Sequence, residues 1–256
     1  MAASRKQTRL MAWVNSTPDV FVLALSDHGY YKTAHSAALM LIRPIAISLM
    51  YTRTAPYRFE HFFKNPQRGP MQERFKPLTI EEMTPAQRQM AESLQSGPRG
   101  PGVRGPFKAL LRSPELGELV QRVGAHIRFK SSIPTALNEM AIIMAGRKWN
   151  SQLEFWAHRD MGIKAGMRPE VAAAIALGKR PDPITPDEAV VHDFCHELLH
   201  TTQVSDANFQ AVVDRFGEQG AVDLIGALGY YSLVSMMLNV DRVQLPAGVE
   251  APLKPL

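Results

Sequence analysis

Pro134-Thr135-Ala136-Leu137-Asn138-Glu139-Met140-Ala141-Ile142-Ile143-Met144-Ala145, residues 134 to 145, decides the fold. The proline is suited to the start of a helix, and Leu137, Met140, Ala141, Met144 and Ala145 follow at the three-and-four spacing of a face turned inward. The same pattern recurs on both sides. Upstream, Thr84-Pro85-Ala86-Gln87 has the chemistry of a helix start: a cap hydroxyl, a proline at the first position and a glutamine that reaches back to the cap amide. Ser113-Pro114-Glu115 starts the next helix in the same way, with Leu116, Leu119, Val120 and Val123 as its buried stripe.

Downstream, the spacing predicts helices from about Ser151 to Gly166, where the glycine ends the helix, and from Pro169 to Gly178. A capped helix should run from Thr185-Pro186-Asp187-Glu188 to about Thr201, followed by Asp206 to Phe216 and Gln219 to Asn239. The run of glycines and prolines from Gly97 to Pro106 cannot be regular structure, because proline lacks a backbone donor and glycine has too much freedom. No alternating run with a hairpin turn appears, so the fold class is all-α.

Composition narrows the function. The chain has 256 residues, 45% of them apolar and 21% charged, enough for one large core. Its formal charge of +5 is unevenly placed. Residues 1 to 70 hold nine Lys/Arg against three acids, a surplus of +6, which leaves −1 for the remainder. The basic character therefore belongs to the leader, and residues 71 to 256 have no electrostatic footprint for nucleic acid.

The leader's apolar stretches (Val20 to Leu25, Ala37 to Ile42, Ile45 to Tyr51) fall short of the roughly 18 to 20 residues of a membrane span. It is read as a poorly structured N-terminal extension, compatible with a transit-like peptide or a stretch upstream of a true start at Met71. The single Cys195 excludes an intramolecular disulfide and suits a reducing, cytoplasmic setting. The run Val222 to Leu238 is apolar on more faces than one monomer's core would cover, which implies a homo-oligomer.

The chemistry-bearing pattern lies on the two central helices. Ser151, Glu154 and His158 are spaced by three and then four, which puts them on one stripe where a carboxylate can orient an imidazole that titrates near neutrality. With Glu139 the full pattern reads Glu, eleven residues, Ser-x-x-Glu-x-x-x-His, set in Leu137-Asn138-Glu139-Met140 and Glu154-Phe155-Trp156-Ala157-His158. This resembles the carboxymuconolactone decarboxylase-like (AhpD-like) superfamily, whose alkylhydroperoxidase branch has a Glu, eleven residues, then Cys-x-x-Cys-x-x-x-His. The likeness extends to Gly105-Pro106-Phe107, Ser113-Pro114-Glu115-Leu116, Phe216-Gly217-Glu218-Gln219-Gly220 and Gly229-Tyr230-Tyr231.

The resemblance implies an AhpD-like helical bundle in its cysteine-free branch. Ser151 and Glu154 stand where the peroxidase pattern has cysteines, and a hydroxyl and a carboxylate can neither reduce a peroxide nor form a disulfide. Peroxiredoxin-type activity is thus disfavoured. The implied enzyme is a lyase on a small lactone or carboxylic acid. Such a substrate is its own electron sink, so decarboxylation needs an acid and an oxyanion stabiliser but no cofactor and no metal. His158 is the expected proton donor and Glu154 its partner, with Glu139 supporting the ring. Arg128 and Arg147 are the candidate guanidinium partners of a substrate carboxylate. Ser151 and Tyr230 are further candidate binding residues.

Two other readings compete. His196-Glu197-Leu198-Leu199-His200 spells the helical zinc-protease motif, but no Gly-x-x-His follows it, and Val191, Phe194, Cys195, Leu198 and Leu199 make it an ordinary amphipathic helix. A non-catalytic helical assembly protein is the other reading. Convergence of Glu139, Glu154 and His158 on one cavity is what separates an enzyme from it.

Overall fold

A computed structural model describes residues 72–255, so the expected extension over residues 1 to 70 lies outside them. The described chain is all-α, eight helices with no strand among them: α1 (Pro85–Ser96), α2 (Phe107–Leu110), α3 (Pro114–Phe129), α4 (Thr135–Lys148), α5 (Gln152–Lys164), α6 (Pro169–Ala176), α7 (Pro186–Thr201) and α8 (Asp206–Asp241). Thr84 and Thr185 both form full capping boxes, with Gln87 and Glu188 returning a side-chain oxygen to the cap amide at 2.9 and 2.8 Å. Ser113 caps α3 by position only, because its hydroxyl makes no capping bond.

Helix α4 is the axis of the fold. Every residue from Leu137 to Arg147 is buried, because α5, α6, α7 and α8 all pack around it. The expected inward face is therefore inside, but so is the opposite one. Three long polar side chains, Asn138, Glu139 and Arg147, are buried with it. Burial of such groups costs free energy unless partners are built around them, which marks this helix for the site below.

On α3 the expected stripe is wrong. Leu116, Leu119 and Val123 are exposed, and Val120 alone of the four is buried. The interior face is set by Gly117 and Gly124 instead. A Cβ at Gly117 would lie 2.4 Å from Met90 Cε, and one at Gly124 would lie 2.1 Å from the Tyr230 hydroxyl. Close approach to α1 and α8 thus outweighs the leucines' hydrophobicity, and their face is left outward.

The two helices expected after Asp206 follow one another within α8 and are separated by a break at Gly217 (φ 72°, ψ 173°). Those dihedrals belong almost solely to glycine. Gly217→Ala should lower stability by about 1–3 kcal/mol, measured by urea denaturation, while Gly229→Ala, where a Cβ meets nothing within 4 Å, serves as the helical control. By length and composition α8 could cross a membrane, but 56% of its most apolar window is buried in the fold, as in a core helix. Both chain ends of the described region are tied to this framework. Phe75 N donates to Asp241 Oδ1 at 2.7 Å, and Gln152 exchanges two hydrogen bonds with the Leu253 backbone.

Candidate active site

Glu139 leaves α4 in its second turn and His158 leaves α5 directly across from it. His158 Nδ1 lies 2.6 Å from Glu139 Oε2, a short charge-assisted hydrogen bond. On the other edge of the ring, Nε2 is 3.0 Å from Glu154 Oε1, one turn back on the same helix. That second contact has ion-pair distance but not hydrogen-bond alignment, and Glu154 Oε1 is otherwise a buried acceptor without a partner. The three residues are 5 to 6% exposed.

This arrangement corrects the expectation of a neutral-range histidine. Burial alone pushes the His158 pKa down, but the charge of Glu154 and hydrogen bonding to Glu139 outweigh it and raise the ring from 6.5 to about 9. At pH 7 the group is an imidazolium held between two carboxylates. It is therefore a stored proton. The expected order of partners also changes: Glu139, not Glu154, is the one that anchors the ring by a hydrogen bond.

Tyr231 closes the site from α8. Its ring meets His158 edge-on at 4.7 Å between centroids, and its buried hydroxyl has no hydrogen-bond partner. Burial and the nearby Glu154 charge raise its pKa well above 10, so the hydroxyl stays a proton donor. The sequence-predicted Tyr230 stands one residue away, its ring T-shaped against Tyr231, and its hydroxyl lies 3.4 Å from Arg99 Nη2.

Arg99 comes from the Gly/Pro loop, runs over the Phe107 ring at 5.1 Å, and keeps a buried Nε without a partner. Nothing in a glycine- and proline-rich segment signals that one arginine turns inward. Tyr231 was legible only as the neighbour of Tyr230, since which of two adjacent tyrosines faces a histidine on another helix depends on the rotation of α8.

The remaining predicted residues divide. Arg128 stays beside this region: its charge acts on both Tyr230 and Tyr231, and its Nη2 lies 3.2 Å from Met161 Sδ. Ser151 is 1% exposed, with a hydroxyl that neither caps α5 nor meets any other partner. Arg147 does not join them. It lies two helical turns beyond Glu139, about 12 Å along the α4 axis. Its guanidinium holds Asn150 Oδ1 at 3.0 Å and the Lys254 carbonyl at 2.8 Å.

The zinc-protease spelling dissolves on inspection of Glu197. Its carboxylate accepts from Ser205 N at 2.8 Å and from Asn208 Nδ2 at 2.9 Å, which staples the start of α8 and leaves no general base between the histidines. Among the described residues no group of three or more His, Cys, Asp or Glu is arranged to hold a metal ion. Cys195 is fully buried, and burial raises its thiol pKa far above the physiological range. Cys195→Ala should leave turnover unchanged within experimental scatter in a steady-state assay. A drop of tenfold or more would return a thiol to the mechanism.

No family model and no curated protein matches this chain.

Proposed function

We propose that the chain is a cofactor-free acid-base enzyme, a carboxymuconolactone decarboxylase-like lyase of the AhpD-like superfamily acting on a small lactone or carboxylic acid. The observation that carries this reading is the asymmetry around His158. Nδ1 is anchored by Glu139, whereas Nε2 is held near Glu154 without an aligned hydrogen bond and is free to donate.

In a decarboxylation of this class the C–COO⁻ bond breaks, CO2 departs, and the electron pair passes into the conjugated lactone carbonyl. The oxyanion so formed is met by the unpartnered Tyr231 hydroxyl, and the imidazolium then delivers its Nε2 proton to carbon. Glu154 is placed to return a proton from solvent to the ring. Arg99 and Arg128, whose charges both act on Tyr230 beside Tyr231, are the guanidinium groups that meet an anionic substrate. The chemistry asks for no metal or organic cofactor, because the substrate accepts the electrons.

One observation favours a second reading. Three groups this deeply buried also make a structural ion triad in an assembly protein with no catalysis. Incubation with a panel of lactones and aromatic-catabolite acids, read as CO2 release, separates the two. Release that disappears in His158→Gln supports the enzyme, and no release from any of them supports the scaffold.

A cytoplasmic location and assembly into a homo-oligomer belong to the same proposal. Leu116, Leu119 and Val123 on α3 and Val222 and Ile225 on α8 are exposed apolar side chains, and Leu116 shares an apolar groove with Met236 and Val240. A second copy of the chain is the occupant proposed for this surface. Light scattering at micromolar concentration should give a multimer, and Leu119→Glu with Val222→Glu should convert it to monomer. A wild-type monomer defeats this part of the proposal.

A further inference from the structure

A second cluster of chemistry-bearing side chains lies away from His158, where the C-terminal half of α4 meets α7 and the turn after α6. A cavity of about 30 Å³ is lined there by Arg147, Lys179, His192, His196 and His200 among aliphatic side chains, with no carboxylate on its wall. The three histidines fall at intervals of four on α7, and their rings stack with centroids 5.6 and 4.5 Å apart. Five groups that carry or can gain positive charge thus converge on one small space.

Arg147 is the telling member. It is 5% exposed, has no carboxylate partner among the described residues, and its Nε is a buried donor with nothing to donate to. Its two hydrogen bonds go to a carbonyl and an amide oxygen, neither of which neutralises it. A buried guanidinium without a counter-charge costs several kcal/mol, and a bound anion would remove that cost.

The neighbouring acids do not serve. Asp193 is held by Arg180 through two bonds of 2.9 Å and by His192 Nδ1 at 2.8 Å, which leaves the other nitrogen of His192 for a ligand. Glu197 is occupied at the start of α8. Burial lowers the pKa of His192 against the opposing hydrogen bond and charge of Asp193, whereas for His200 burial and the positive charges of His196, Lys148 and His192 all act in the lowering direction with no acid opposing them.

We propose that this cavity is a binding site for an oxyanion, the phosphate or carboxylate group of a small anionic molecule. That volume takes about two oxygen-sized atoms, so the oxygens of the head group enter it and the rest of the molecule lies outside its mouth. Arg147 supplies the buried charge, Lys179 the mobile one, and the α7 histidines supply N–H donors along one wall. The site is separate from His158 and independent of the reaction assigned there.

The test is calorimetric titration of the full chain with inorganic phosphate and, separately, with acetate, each at ionic strength matched with sodium chloride. Saturable binding of either is expected, and the stronger of the two identifies the head group. Lys179 and His196 are exposed and form no ion pair among the described residues, so Lys179→Gln and His196→Gln should leave folding intact while each weakens binding about tenfold, the loss expected of one charge-assisted hydrogen bond. Binding of neither anion, or binding that both variants leave unchanged, overturns the proposal. So does saturable binding of zinc alone, lost in His196→Gln, which would make the histidine row a metal site instead.

Discussion

His158→Ala is expected to abolish most of the turnover of any validated substrate, by a factor on the order of 100 to 10,000, with its helical circular dichroism retained. The size is what general acid-base catalysis supplies in the proposed reaction, in which His158 donates the proton to carbon. The pH dependence follows from the same group. The proposed reaction uses the imidazolium, whose pKa is raised to about 9, so kcat/KM should hold through neutrality and fall as pH rises through about 9. Glu154→Gln keeps the size of the side chain and removes the charge that contributes most to raising the ring, so that fall should move to lower pH. Its loss of rate should be smaller than that of His158→Ala. A folded His158→Ala enzyme within threefold of wild type would end the assignment of this stripe as an active site.

The second large effect is on stability and needs no substrate. A ring whose pKa is higher in the folded than in the unfolded state stabilises the fold fully below the unfolded value, and that contribution is lost as pH rises through the folded one. For His158 the window runs from 6.5 to about 9, and the contribution at stake is on the order of 3 kcal/mol. Urea denaturation at intervals across this window should show wild-type stability declining, and the difference from His158→Gln should shrink in step. His192 and His200 act in the opposite sense, since their folded pKa values are lowered and the stability they contribute is lost as pH falls below 6.5. Wild type should therefore be most stable close to pH 6.5. A flat difference between wild type and His158→Gln across the window would mean that the ring is not charged in the fold.

Local spacing already determines the long helices, though not the short α2, and the one-turn approach of Glu154 to His158. The capping boxes at Thr84 and Thr185, the end of α5 ahead of Gly166 and the break at Gly217 are set by local chemistry: a side chain bonding a nearby amide, or a backbone angle that glycine alone adopts easily. Glu154 and His158 meet because four residues of helix put them one turn apart. Interactions within one helix or one turn need nothing else, so they can be read from spacing.

What only the tertiary structure decided are the contacts between elements distant in the chain. Leu119 is exposed although its spacing marks it as core, because Gly117 and Gly124 bring the other face of α3 against α1 and α8. Tyr231 rather than Tyr230 meets His158, Arg99 reaches Tyr230 across 131 residues, and Arg147 turns from the expected site toward three histidines of α7. Each depends on how a helix is rotated against the helix or loop packed on it. That rotation is settled by the joint packing of the whole interior, which no single window of sequence contains.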